Sequence, residues 1–325
     1  MKKRKKKNRK KKTFIFLFVF VILVVINCVT LSYIIQQYKD NRRQESYDKV
    51  MAYEQKVDEN GIAVDMLDNP YFMEKMPGYD YPSPKEITYY SSITQTKRHA
   101  YVILPIDYDE DKEYPVLYLM HGLHGSHKTW LNKGADIILY NLYYFNDAKE
   151  MIVVLPNSEV NEEEDTEGMD IRDTVEVYDK IEDEMINCLM PYIEEHYSVA
   201  KGRENTAIAG NSMGGRSTMQ IAFKHQELFG YVGAFSSANV IGKQEYGHVV
   251  HPVLDDVKID ENAGNFKMIM LMVGRSDDVC GSCTYELHNR MVENGIDHIF
   301  YETEGGHQNT VWQNALYNFG QRIFK

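Results

Sequence analysis

Basic residues are scarce in this chain once its first twelve positions are set aside. Residues 1–12 (MKKRKKKNRKKK) hold 10 of the 36 lysines and arginines and no acidic residue; 26 basic and 48 acidic side chains are left, a net of −22 for the remainder. A body so acidic repels phosphate, so no nucleic-acid partner is expected. Cysteine is scarcer still. Cys28, Cys188, Cys280 and Cys283 are the four, and only the last two, in CGSC, stand close together. A structural zinc site needs a second ligand pair, which the sequence lacks. A Cys280–Cys283 disulfide and a pair of free thiols both stay open. Neither repeats nor low-complexity tracts occur beyond the lysine-rich head, and charge of either sign is missing from Thr13 to Ile35, TFIFLFVFVILVVINCVTLSYII.

That missing charge has a structural consequence. These 23 residues, at about 1.5 Å rise each, give a helix roughly 34 Å long, enough for a hydrocarbon core of about 30 Å. A cleaved signal peptide has a shorter apolar stretch and small residues at the cut site. Here the stretch runs on into YIIQQY without an A-x-A, and Asn27 stands where a lipoprotein signal would place a small residue before Cys28. The expectation is an uncleaved signal anchor over residues 13–35, a single pass through the cell membrane. The basic head, 1–12, stays in the cytoplasm by the positive-inside rule, and residue 36 onward lies outside.

Residues 36–85 read as a juxtamembrane helix to about Val57 followed by a linker, and residues 86–325 as one domain. Within it, strand-length apolar runs alternate with helical stretches. Strands are expected at Glu86–Ser91, Arg98–Leu104, Val116–Met120, Met151–Leu155, Thr206–Ala209, Tyr231–Phe235, Lys267–Val273 and His298–Glu302. Runs such as VLYLM and MIMLMV are apolar throughout, the pattern of strands covered on both faces. Helices are expected at Val175–Tyr197, where Val177, Ile181, Met185, Cys188, Leu189 and Ile193 recur at helical spacing, and at Ser217–His225 and Thr284–Glu293. The alternation predicts an α/β fold with a mainly parallel sheet flanked by helices, preceded by the transmembrane helix.

Between a strand-like TAIA and a helix-like RSTMQIAFKH stands Gly210-Asn211-Ser212-Met213-Gly214. G-x-S-x-G in that context is a nucleophile elbow, a sharp strand-to-helix turn that exposes the serine. A serine hydroxyl needs a base, and the base an orienting acid; in such folds the chain order is serine, acid, histidine. Downstream, KMIMLMV ends in Gly274-Arg275-Ser276-Asp277-Asp278, and the last strand is followed by Glu304-Gly305-Gly306-His307. Asp277 and His307 are the candidates, with Asp278 the rival acid. The strand YPVLYLM runs into the glycine-rich HGLHG, whose turn should offer the Leu123 N–H; with the Met213 N–H it would form an oxyanion hole. His121 and His124, three apart with no acidic neighbour in sequence, are a weak metal pair, and Asn161–Asp170 (NEEEDTEGMD) reads as a solvated acidic loop.

Four stretches, "YYSSITQTKRHAYVILPIDYDEDKEYPVLYLMHGLHG", "PYIEEHYSVAKGRENTAIAGNSMGG", "VGRSDD" and "EGGHQNTVWQNAL", resemble the esterase D / feruloyl esterase-like family of the α/β-hydrolase superfamily. That family includes feruloyl and acetyl-xylan esterases, S-formylglutathione hydrolase and the mycolyltransferases. The resemblance runs from about Ile87 to the C-terminus. It implies Ser212 as nucleophile, His307 as base, Met213 and Leu123 as oxyanion donors, and Asp277 over Asp278 as acid, from the family's G-x-x-D. The VCGSC that follows departs from the family pattern. The implied function is hydrolysis of carboxylic esters by a Ser-His-Asp acyl-enzyme route with no cofactor. The ester substrate implied is an acylated polysaccharide, bearing acetyl or feruloyl groups. An acyltransferase of the mycolyltransferase type and a non-catalytic surface-binding module on a hydrolase scaffold remain the alternatives.

Overall fold

A computed structural model of the chain describes residues 2–53, 56–63, 70–241 and 252–325. Positions 54–55 of the expected juxtamembrane helix, positions 64–69 of the expected linker, and the side chains of the basic head lie outside that description. The chain divides into two units, Met1–Tyr53 with Met76–Tyr79, and Glu54–Lys75 with Asp80–Lys325.

The first unit is built on one helix, α1 (Lys2–Met51), whose part from Phe14 is long and apolar enough to cross a membrane and carries no buried residue in its apolar window. It ends at Met51, short of the expected Val57. The chain closes there on a tighter turn, with the Tyr53 N–H donated to the Val50 carbonyl three residues back. Near this end the Ser46 hydroxyl donates to the Pro77 carbonyl at 2.7 Å, and the Arg43 guanidinium stacks over Tyr79 at 5.2 Å.

The second unit carries eight strands: β1 (Lys85–Tyr90), β2 (Lys97–Ile103), β3 (Val116–Met120), β4 (Ile152–Pro156), β5 (Thr206–Asn211), β6 (Tyr231–Phe235), β7 (Met268–Gly274) and β8 (Ile299–Thr303). All eight expected strands are present, with ends displaced by at most two residues. The sheet order is β1-β2-β4-β3-β5-β6-β7-β8; β2 runs antiparallel to β1 and β4, and every other pair is parallel. Successive side chains of a strand point to opposite faces, and β3 uses both. Val116, Tyr118 and Met120 join one core cluster, and Leu117 and Leu119 the other, none more than 1% exposed.

The remaining helices cover these faces. They are α2 (Thr129–Asn132), α3 (Ala135–Phe145), α4 (Ile171–Asp179), α5 (Ile181–Glu184), α6 (Met190–His196), α7 (Met213–Lys224), α8 (Gly281–Glu293) and α9 (Asn309–Gly320). Residues of α5 to α8, such as Ile181, Ile193, Met219 and Leu287, lie with Val116; those of α3 and α9, such as Ile138, Leu142, Leu316 and Phe319, lie with Leu117. Ile62, Ala63 and Phe72 also enter this second cluster.

The single helix expected over Val175–Tyr197 is broken. It starts at Ile171, where the Asp170 side chain caps the Arg172 N–H, and passes through a π turn at Met185–Leu189 before α6. Pro191 has no N–H to give the Asn187 carbonyl and its ring crowds that carbonyl, so the ladder widens just before it. Helices α3 and α9 were not expected. Their sequences, ADIILYNLYYF and NTVWQNALYNFG, give a weak polar stripe because much of each helix is buried.

Candidate active site

The candidate residues sit where parallel strands end. Ser212 follows β5 and precedes α7 with φ 56° and ψ −121°, a conformation that L residues other than glycine rarely hold. Its surroundings hold it there. The Ser212 N–H donates to the Phe235 carbonyl at 3.0 Å, and its own carbonyl accepts from the N–H groups of Arg216 and Ala238, each at 3.1 Å. The flanking glycines answer the crowding: a Cβ on Gly210 would lie 2.5 Å from the Gly214 carbonyl oxygen, and one on Gly214 would lie 2.5 Å from the Met120 and His121 oxygens. The turn therefore closes only without side chains at these two positions.

Asp277 follows β7, and His307 lies on the loop after β8. The Ser276 N–H donates to the Gly305 carbonyl at 2.9 Å, tying the two loops together. His307 Nδ1 lies 2.9 Å from Asp277 Oδ2, and His307 Nε2 lies 2.9 Å from Ser212 Oγ. A carboxylate can only accept, so Nδ1 carries the proton and Nε2 is left to accept from the serine. The Asp277 side chain is fully buried. Burial pushes its carboxyl up, but the His307 hydrogen bond and the Cys280 N–H outweigh this and hold it below the usual carboxylate range. Its Oδ1 accepts from the Val279 and Cys280 N–H groups at 3.0 and 2.8 Å. Asp277, rather than Asp278, is the carboxylate at His307.

Leu123 and Met213 come together beside Ser212, in a small apolar cluster with Ile171, Val175, Tyr178, Ala238 and Cys280. The loop carrying Leu123 is held by its neighbours. His121 Nε2 accepts the Ser158 N–H at 2.8 Å, which leaves Nδ1 to donate to the Gly122 carbonyl at 2.7 Å. Burial lowers the His121 pKa to about 4, so it stays neutral. Both ring nitrogens thus serve the loop. The Tyr178 hydroxyl reaches the Gly122 carbonyl at 2.9 Å and Glu159 Oε1 at 3.1 Å.

Further neighbours surround these residues, of which Lys133 and Trp312 carried no sequence signal. Cys280 and Cys283 are free thiols. Burial, then the charge of Asp277, pushes the Cys280 thiol up, and it lies beside the Ser212 hydroxyl. Lys133, at the end of α2, is buried and donates to Asn211 Oδ1 at 3.1 Å. The Trp312 ring meets His307 edge-on at 5.0 Å. The acidic loop folds on itself: Asn161 Oδ1 accepts the Asp165 N–H, and the Thr166 hydroxyl donates to Glu159.

This sheet order, with a strained serine turn after β5 and a histidine past the last strand, defines an α/β hydrolase. The chain belongs to the family described as "Putative esterase", which matches residues 91–322. It is similar to an endo-1,4-beta-xylanase/feruloyl esterase of Xylanibacter ruminicola, 29% identical over 57% of this chain, a match that spans only 26% of that longer protein. It is 25% identical to an acetyl esterase of Caldicellulosiruptor saccharolyticus over 72% of this chain and 95% of that one. Among solved structures it resembles a CE1 ferulic acid esterase from the anaerobic fungus Anaeromyces mucronatus, 36% identical over 78% of this chain and 95% of that one, with a TM-score of 0.69.

Proposed function

We propose that the chain is a membrane-anchored serine esterase whose catalytic domain lies outside the cytoplasm and acts on acylated polysaccharide. One observation carries the chemistry: the unbroken hydrogen-bonded line from Ser212 Oγ through His307 to Asp277. Ser212 Oγ attacks the ester carbonyl carbon while His307 Nε2 takes its proton. The imidazolium that forms is stabilised by Asp277, which keeps its negative charge. Negative charge on the carbonyl oxygen is met by the N–H groups of Met213 and Leu123. His307 then returns the proton to the departing alkoxide, and the acyl group stays on Ser212. In the second half, water gives a proton to His307 and attacks the acyl carbon; His307 then passes that proton to the departing Ser212 oxygen, which releases the carboxylic acid and restores the serine. No cofactor enters either half.

The names of the relatives support acetyl or feruloyl groups as the acyl part and a sugar hydroxyl as the alcohol. The uncharged helix behind a lysine-rich head supports anchoring through residues 13–35, with the head in the cytoplasm. The test is turnover of acetyl, butyryl and feruloyl esters by the wild-type protein and by Ser212→Ala. The reading expects hydrolysis that the variant loses on every ester. Equal turnover by the two proteins would remove Ser212 from the chemistry.

A further inference from the structure

Both tryptophans of the chain flank the same buried cation. Lys133 is 7% exposed, and its Nζ lies 4.7 Å from the ring centre of Trp130 and 4.3 Å from that of Trp312. Among the described residues no carboxylate pairs with it. Its one hydrogen bond to an uncharged group is the 3.1 Å bond to Asn211 Oδ1. Burial alone lowers its pKa to about 7, so the ammonium form is populated at neutral pH and predominates below it. An ammonium buried without a counter-ion is costly, and an apolar side chain would fill the same space more cheaply. The contacts show what the charge holds.

Each of its three partners belongs to a different part of the site. Trp130 donates its indole N–H to the Met120 carbonyl at 2.8 Å, at the strand end from which the Leu123 loop departs. Asn211 is the residue before Ser212. With its oxygen turned to Lys133, its amide nitrogen faces the Gly122 turn; a Cβ added to Gly122 would lie 3.0 Å from it. Trp312 meets the His307 ring edge-on. The Gln313 side chain also donates to the Lys133 carbonyl at 2.8 Å, tying α9 to the same residue.

We propose that Lys133 is a positioning residue for the esterase chemistry: its buried charge joins the oxyanion loop, the serine turn and the histidine loop through Trp130, Asn211 and Trp312. Cation–π attraction favours a cation against both ring faces, and the Asn211 bond sets which way that amide turns. The proposal rests on the esterase reading above, and it adds a residue that touches neither substrate nor the reacting atoms. Its effect falls on the rate of the chemical step, because small misplacements of reacting groups are expensive there.

The experiment compares wild-type protein, Lys133→Met and Lys133→Arg, each checked for folding by circular dichroism. Three readouts are taken: kcat and KM on an activated acetyl ester, tryptophan emission, and fluorophosphonate labelling of Ser212. Lys133→Met keeps length and apolar packing but removes the charge. It should lower kcat by about 10- to 100-fold, leave KM within about twofold, and shift the emission, since both tryptophans sit at the clamp. Lys133→Arg keeps a charge that stacks well on aromatic faces and should recover most of the lost kcat. An unchanged kcat in Lys133→Met, a fall carried by KM, or an arginine variant as impaired as the methionine one overturns the proposal. If Lys133→Met does not fold, Trp312→Leu takes its place. It opens one side of the clamp and should lower kcat with KM held; an unchanged kcat there overturns the proposal equally. Wild-type protein that labels at Ser212 while Lys133→Met behaves as wild type removes the proposal alone. Wild-type protein with no Ser212 adduct removes the esterase reading and the proposal with it.

Discussion

His307 stands between a hydroxyl and a carboxylate at 2.9 Å on each side, and the residue-scale predictions follow from that geometry. His307→Ala removes both bonds and should lower kcat on an activated ester by on the order of 10³-fold or more, with the fold kept. Asp277→Asn leaves an amide at Nδ1 and disturbs the tautomer, so it should also be severe. Asp278→Asn should be mild, and steady-state kinetics on the three variants would reveal a reversed order at once. His121 makes a separate prediction. Its folded-state pKa of about 4 lies below the ordinary 6.5, so between those values the unfolded chain binds the extra proton. Stability is therefore full above about pH 6.5 and falls as pH drops toward 4. Thermal melting across that range should show the loss, and His121→Gln, which has nothing to titrate there, should flatten part of it. The candidate serine, acid and histidine were legible because each follows a strand end in the expected order, and the folded chain brings the three within hydrogen-bond distance. Lys133, Trp312 and Tyr178 were not, because each reaches the site from a different element and only the folded chain brings them there.

At the scale of elements, the strands were easier to read than the helices. A strand buried on both faces, such as VLYLM, announces itself by unbroken apolarity. The same unbroken apolarity hid α3, whose buried residues include Ala135, Ile138, Leu139, Tyr140, Asn141 and Leu142. The break in the long helix at the π turn of Met185–Leu189 was hidden because apolar spacing continues through it; only Pro191 marked it. The turn between β5 and α7 supplies the prediction at this scale. Gly214→Val puts a branched side chain where even a Cβ would lie 2.5 Å from two carbonyl oxygens. It should destabilise the fold by about 1–3 kcal/mol or more, read as a lower denaturant midpoint. Ser212→Ala, by contrast, should leave the midpoint unchanged or raise it, because a strained functional position costs stability.

For the whole molecule, charge and hydropathy are segregated along the chain: a basic head, an uncharged helix, and an acidic body. That order predicts that the full-length protein stays with the membrane after carbonate washing and that protease added outside reaches residues beyond 36. Recovery of a soluble form beginning after residue 28 would replace the anchor with a cleaved signal. The central claim is that one serine of this chain becomes acylated. It is tested most directly by mass spectrometry of the folded, full-length protein after treatment with a fluorophosphonate. The account predicts a single adduct on the peptide carrying Ser212, absent from Ser212→Ala and greatly slowed in His307→Ala. An adduct on a different serine, or none on folded protein, would contradict it.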